Sequence, residues 1–421
     1  MPSDGLSLGM VAGEKSGDLL AGAVLAGLRE RRRVDARGIG GPAMQAQGFD
    51  AWWSIDALSV MGFVDVLKAY PRLLRLRNRL RDRLIAWHPR LFVGVDAPDF
   101  NFGLEIALRE RGVRVAHFIS PSIWAWRRER IDTIRKAVDH MLLVFPFEEP
   151  IYREAGIPAT FVGHPLADVI DLDVDAEAAR RRLALPDDRT IVALLPGSRQ
   201  SEIAHLAEPF IETAAWLARR RPDLHFVLPA ANETIYQALR QKLAAMALPS
   251  SLSMTLMQGQ AHDAMAACQA LLVASGTATL EAALFKRPMV IAYKLAWLNY
   301  RIMRGKGYLP WIGLPNILCN ESIVPEFIQH AATPEAMGTA LLEQLESPAQ
   351  RARVVERFGE LHLSLRRGCA QRAAEVLDAL AGTDTDAGTG AGTGTGAEAG
   401  TGAEAGRRAD TDTGAGAGGS R

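Results

Sequence analysis

The chain has 421 residues, and its 48 lysines and arginines balance 48 aspartates and glutamates for a formal net charge of zero. At 48% hydrophobic and 23% charged it has an ordinary globular composition, and its neutrality argues against general nucleic-acid binding. Three widely spaced cysteines (Cys268, Cys319, Cys369) and nine histidines without an HExxH pair outline neither a disulfide scaffold nor a zinc site.

No apolar run reaches the roughly 18 residues of a membrane span, and Met1–Gly13 lacks the features of a signal peptide, so a cytoplasmic protein is expected. Short apolar runs alternate with amphipathic stretches, the pattern of βαβ units and parallel sheets. In the first half, strands are expected at Leu6–Ala12, Leu91–Val95, Val113–Ile119 and Met141–Val144. A turn at Gly13–Asp18 leads into a helix over Leu19–Arg32. An acidic linker after His164-Pro165 carries the D-x-D pairs Asp171/Asp173 and Asp173/Asp175, which read as a solvated N-cap cluster before a helix at Ala176–Leu185 rather than as a metal site.

A second series follows, with strands at Ile191–Leu195, Leu224–Leu228, Ala270–Val273 and Met289–Tyr293. Helices are expected at Ile203–Arg220 and Leu280–Leu284, and more from Pro334 to Gly382. Two consecutive α/β series imply two Rossmann-like domains, over 1–168 and 169–345, with helices at 346–381. The segment 382–421 holds 13 of the 38 glycines and no large apolar side chain, so it reads as a disordered tail.

Several turns are suited to chemistry. Gly13-Glu14-Lys15-Ser16-Gly17-Asp18 is not a Walker A, but its free backbone N–H groups can face a phosphate or hydroxyl; the plainer reading is a tight turn capped by Ser16 or Asp18. Ser198 and Arg199 open a long helix, where the positive helix end and a guanidinium fork together suit a diphosphate. Ser275, Gly276 and Thr277 repeat that logic, and Glu281, about one turn deeper, can accept from a ribose diol. Asp96 stands at the end of a buried strand, placed either as a general base or as an Asx-turn that ends the strand.

The stretch Leu73–Trp87 carries an apolar stripe, and with Arg72 just before it an arginine face that includes Arg72, Arg75 and Arg79. With the preceding apolar cluster of Met61, Phe63 and Val64, it fits either an anionic bilayer and acyl chains or a core-packed helix with a solvated face. A second basic-aromatic patch runs from Lys294 to Trp311.

Taken in order, AGEKSGD (12–18), GGPAMQAQG (40–48), VMGFVDVL (60–67), VDAPDFN (95–101), SPSIWAWR (120–127), GHPLAD (163–168), LLPGSRQSEI (194–203), ASGTATLEAAL (274–284) and LPNIL (314–318) resemble the bacterial lipid-A-disaccharide synthase family. The resemblance implies a GT-B fold, two Rossmann-like domains facing a cleft, with C-terminal helices packing back on the first. It implies an inverting, metal-independent, cofactor-free transfer from UDP-2,3-diacylglucosamine to 2,3-diacylglucosamine 1-phosphate, giving a β-1,6 disaccharide and UDP at the cytoplasmic face of the inner membrane. On that reading Asp96 is the base and Arg199 stabilises the leaving group. Ser198, Ser275, Gly276, Thr277, Glu281 and Asn316 hold the nucleotide, and Gly13, Glu14, Ser16 and Gly17 line the acceptor side. The family also suggests a homodimer. Two rival readings are a different UDP-sugar enzyme, such as a 2-epimerase, and a silent nucleotide-sugar or lipid binder.

Overall fold

A computed structural model describes residues 5–58, 63–294 and 308–382, with the backbone alone at 63–69. The tail expected from 382 lies, beyond Gly382 itself, outside the described residues.

The first sheet contains β1 (Leu6–Ala12), β2 (Val34–Gly40), β3 (Asp50–Ser54), β4 (Leu91–Val95), β5 (Arg114–Phe118), β6 (His140–Leu143) and β7 (Ala159–Phe161). Its order is β3-β2-β1-β4-β5-β6-β7, parallel throughout. The second sheet contains β8 (Thr190–Leu195), β9 (Leu224–Ala230), β10 (Ser253–Gln258), β11 (Ala270–Ala274), β12 (Met289–Tyr293) and β13 (Glu326–Ile328), in the order β10-β9-β8-β11-β12-β13. The central strands β1, β4, β8 and β11 are buried almost throughout because helices cover both faces of a parallel sheet, which is why they read as continuous apolar runs.

In each sheet the chain first builds outward on one side, then returns to build on the other. The reversal falls between β1 and β4 in the first sheet and between β8 and β11 in the second. The crevice outside the carboxyl ends of strands at such a reversal is where open α/β sheets bind ligands.

The C-terminal helices return to the first domain, as the resemblance implies. The helix Cys369–Gly382 packs along the helix Lys15–Arg31, with an Arg31–Glu375 ion pair at 2.8 Å. The GHPLAD segment is the joint. Asp168 caps the last helix by accepting from the Gly368 and Cys369 amides at 3.0 and 2.6 Å. Nearby, buried His362 meets the Ala167 carbonyl at 2.8 Å.

Helix starts differ most from expectation. The first helix begins at Lys15 rather than Leu19, and the helices expected from Ile203 and Leu280 begin at Gln200 and Thr277. Helix N-termini carry polar residues, which the apolar periodicity does not register. The linker reading holds at Asp175, whose carboxylate caps the helix Ala176–Arg182 through the Ala178 amide at 2.8 Å.

Candidate active site

On the first sheet, Ala12 and Val95 are register partners on β1 and β4, so the turns that follow them lie side by side. Asp96 and Ala97 both have positive φ, 53° and 45°, a sparsely populated conformation for residues with a side chain. Three bonds hold this turn. The Asp96 amide donates to the Phe118 carbonyl at 2.8 Å, the Asn101 side-chain amide donates to the Asp96 carbonyl at 2.7 Å, and the Asn101 backbone amide donates to Ala97 at 3.0 Å. Among the described residues no group hydrogen-bonds to the half-buried Asp96 carboxylate. The Asx-turn reading therefore falls: the carboxylate is not spent on its own backbone.

Gly13 and Gly17 are buried against this turn, and a Cβ on Gly17 would lie 3.7 Å from Val95 Cγ1. Glu14 and Ser16 are exposed beside them. Neither Ser16 nor Asp18 caps the helix. Glu14 takes the N-cap position without a side-chain bond, leaving the Lys15, Ser16 and Gly17 amides with no acceptor among the described residues. Asp18 instead turns inward, 3% exposed, and accepts from the amides of Gly41, Ala43 and Met44 at 2.7, 2.9 and 3.2 Å. This bond set explains why AGEKSGD and GGPAM occur together.

On the second sheet, β8 and β11 bring the turn at 196–199 beside the one at 275–277. The two helix starts are not alike. The first is already filled: Glu202 Oε2 accepts from the Ser198 and Arg199 amides at 2.8 and 3.2 Å, and its Oε1 lies 3.4 Å from the Arg199 guanidinium. At the helix start expected to suit a diphosphate, the Ser198 and Arg199 amides are thus already taken by Glu202. Gly197 has φ 126°, and a Cβ there would meet Glu202 Oε2 at 2.4 Å. The Arg199 side chain remains 80% exposed. Burial raises the Tyr293 phenol above its ordinary value, with the charge of Glu202 adding to the rise and that of Arg199 opposing it.

The second helix start is open. Gly276 and Thr277 are exposed, and no acceptor among the described residues meets the Thr277 or Ala278 amide. The Ser275 hydroxyl, expected to donate to an anion, donates instead to the Ile312 carbonyl at 2.9 Å. Glu281 is met by His262, Nε2 to Oε2 at 3.3 Å. The hydrogen bond to Glu281 raises the His262 pKa above its ordinary value against the opposing effect of burial. His262 carried no sequence signal, because it reaches Glu281 from a separate helix.

Asn316, expected at the nucleotide, is fully buried. Its Nδ2 donates to the Val324 carbonyl and Glu326 Oε1 at 2.9 and 2.8 Å, while Oδ1 accepts from the Ile323 and Val324 amides. Both amide protons and both lone pairs are spent, so it shapes the loop and offers nothing to a ligand.

One strap touches a loop of the first domain and turns of the second. The Tyr308 amide donates to Ala125, in the loop after β5, at 3.3 Å, and the Arg128 guanidinium lies 4.8 Å from the Tyr308 ring centroid. From there the strap runs to Ile312, which meets Ser275, and to Gly313, held by Glu326. Trp124 packs against Phe147 at 5.2 Å in the same region.

Arg72, Arg75 and Arg79 are exposed on the helix Phe63–Trp87 and, with Ala57 and Leu76, surround a cavity of about 210 Å³. Met61 lies outside the described residues, as do the side chains of Phe63 and Val64, and so does 295–307 of the second basic-aromatic patch. No helix of the described residues is long and apolar enough to cross a membrane.

A family model for lipid-A-disaccharide synthetase matches residues 8–378. A lipid-A-disaccharide synthase of Paraburkholderia phymatum is 51% identical over 379 residues, covering 90% of this chain and 97% of the relative. One from Burkholderia pseudomallei K96243 is 52% identical over 374 residues, covering 88% and 96%. Among solved structures, the glycosyltransferase of kitacinnamycin superposes with a TM-score of 0.59 at 16% identity, over 90% of this chain and 99% of that one. The Anabaena protein HepE, solved with UDP and glucose, gives 0.54 at 12% identity, over 88% and 99%. At such identities the structural likeness speaks for the fold alone.

Proposed function

The chain belongs to the lipid-A-disaccharide synthetase family, and on that premise we propose how its two turn clusters divide a sugar transfer. It is a UDP-sugar-dependent glycosyltransferase of lipid A biosynthesis. UDP-2,3-diacylglucosamine is the donor, 2,3-diacylglucosamine 1-phosphate the acceptor, and the β-1,6 disaccharide 1-phosphate and UDP the products.

The Asp96 carboxylate takes the proton of the acceptor 6-hydroxyl. The freed oxygen attacks the anomeric carbon from the face opposite UDP, and the bond from that carbon to the diphosphate breaks with inversion. Negative charge then grows on the departing diphosphate. The Arg199 guanidinium and the open amides at Thr277 and Ala278 are aimed at such charge and cost no reorganisation as it develops. These cationic and dipolar groups are proposed to suffice without a metal ion. Glu281 holds the ribose, and Gly13, Glu14, Ser16 and Gly17 border the acceptor. The arginines at 72, 75 and 79 are proposed to rest on the anionic cytoplasmic face of the inner membrane, and the active form is proposed to be a homodimer, which light scattering would test.

The observation that supports this reading best is the placement, at the two chain reversals, of the Asp96 carboxylate and the helix start at Thr277, neither with a hydrogen-bond partner among the described residues. Asp96→Asn, assayed by mass spectrometry with both lipid substrates in detergent and EDTA, tests it. The wild type should form disaccharide and UDP despite the chelator, and the variant should bind UDP but turn over neither substrate. Near-normal turnover by a folded variant would remove Asp96 as the base, and strict dependence on added magnesium would overturn the metal-free scheme.

A further inference from the structure

Beneath the Asp96 turn lies a polar cluster that the proposed chemistry does not use. Glu105, on the helix Pro98–Arg109, and His117, on β5, are both 0% exposed and are hydrogen-bonded between Oε1 and Nδ1 at 2.6 Å. Burial pushes the Glu105 carboxyl up, with His117 opposing that rise. Three polar atoms here are buried without a hydrogen-bond partner among the described residues: Glu105 Oε2, His117 Nε2 and Asn101 Oδ1. Such atoms are costly, and an apolar trio would fill this space more favourably.

The cluster is connected to the turn. Gly94, on β4, is the register partner of His117. A Cβ on Gly94 would fall 2.1 Å from Glu105 Oε1 and 3.1 Å from Asn101 Cβ and Cγ. Gly94 therefore makes room for both side chains, and Glu105 and Asn101 crowd its one face. The Phe102 ring packs at a tilt on His117, with ring centroids 4.9 Å apart. Asn101, itself 0% exposed, spends its side-chain N–H on the Asp96 carbonyl. That bond spans the two residues with positive φ.

We propose that Glu105, together with His117 and Asn101, is a positioning group for the reaction: the buried pair wedges Asn101 against Gly94, and Asn101 pins the strained turn that aims the Asp96 carboxylate. This rests on Asp96 being the base. A turn held in a sparsely populated conformation relaxes when a restraint goes, and a shift of about 1 Å in a reacting group costs up to about 100-fold in rate.

The test compares Asn101→Ala, Glu105→Leu and Glu105→Gln with Asp96→Asn in the full-length protein, reading kcat, KM, UDP affinity and Tm. Asn101→Ala and Glu105→Leu should lower kcat about 10- to 100-fold, with UDP affinity and donor KM nearly unchanged. Glu105→Leu should lower Tm, because it leaves the buried His117 Nδ1 without its partner, so its kcat is read at a temperature where the variant stays folded. Glu105→Gln, which still presents an oxygen to His117, should restore most of kcat. Wild-type kcat in a folded Glu105→Leu or Asn101→Ala protein would make the cluster merely structural. If Glu105→Leu does not fold, Asn101→Ala decides. Should Asp96→Asn stay active, the base assignment fails by itself; should it be inactive while Asn101→Ala is fully active, the positioning role alone fails.

Discussion

Gly13 and Ala97 stand so close that a Cβ added to Gly13 would lie 2.8 Å from the Cβ of Ala97. Two turns far apart in sequence thus share one small space at the reversal between β1 and β4. Gly13→Ala forces one of them to move, and the turn carrying Asp96 is the strained one. The variant should fold, bind UDP normally and lose about 10- to 100-fold in kcat. Unchanged turnover would show that the turn tolerates displacement.

The Arg199 guanidinium lies 3.4 Å from Glu202 Oε1, and its side chain is 80% exposed. If it meets the diphosphate as charge develops, Arg199→Ala should lose about 2–4 kcal/mol of transition-state stabilisation, read as a fall in kcat/KM. A loss confined to KM would mean that it binds ground and transition states equally.

Glu202 occupies two amides that an incoming diphosphate would also want. Replacing its carboxylate by a neutral amide weakens that claim and removes a negative charge from the site. Glu202→Gln should bind UDP several-fold more tightly by calorimetry. Weaker binding would instead make Glu202 the organiser of the turn.

The His262–Glu281 pair gives a pH signature. Glu281 raises the His262 pKa above its ordinary 6.5, so the pair's contribution to stability is fully present below that value. It is lost as pH rises through the raised folded-state value. The Tm difference between wild type and His262→Gln should therefore be larger near about pH 5.5 than near about pH 8.5. Equal differences at both pH values would exclude the charged pair.

Replacing Arg72, Arg75 and Arg79 with glutamine should weaken sedimentation with vesicles containing anionic lipid by about 1 kcal/mol per arginine, with less effect at high salt. Turnover of substrates dispersed in detergent should change little. Unaltered vesicle binding would leave this helix as plain solvated surface.

What could be read in the sequence followed burial. β1, β4 and β12 match their expected spans because strands covered on both faces are unbroken apolar runs. The unread strands include all four sheet edges, β3, β7, β10 and β13. β3, β7 and β13 have no buried residue and β10 only one, so no apolar run marks them. The family motifs located the turns at Asp96, Arg199 and Thr277 without assigning their hydrogen bonds.

From residue order alone followed the α/β class, the two successive series, the chemically suited turns and the family likeness, since these depend on local pattern and on motif succession. Only the folded chain decided that Asp18 and Asn316 are spent on backbone amides and carbonyls, that Glu202 fills one helix start while the other stays open, and that Glu105 meets His117 beneath Asp96. Each of these is a bond or close approach whose geometry is set by strand register and by where the chain reverses within a sheet. A side chain's neighbours at such places come from segments whose spacing along the chain carries no record of the encounter.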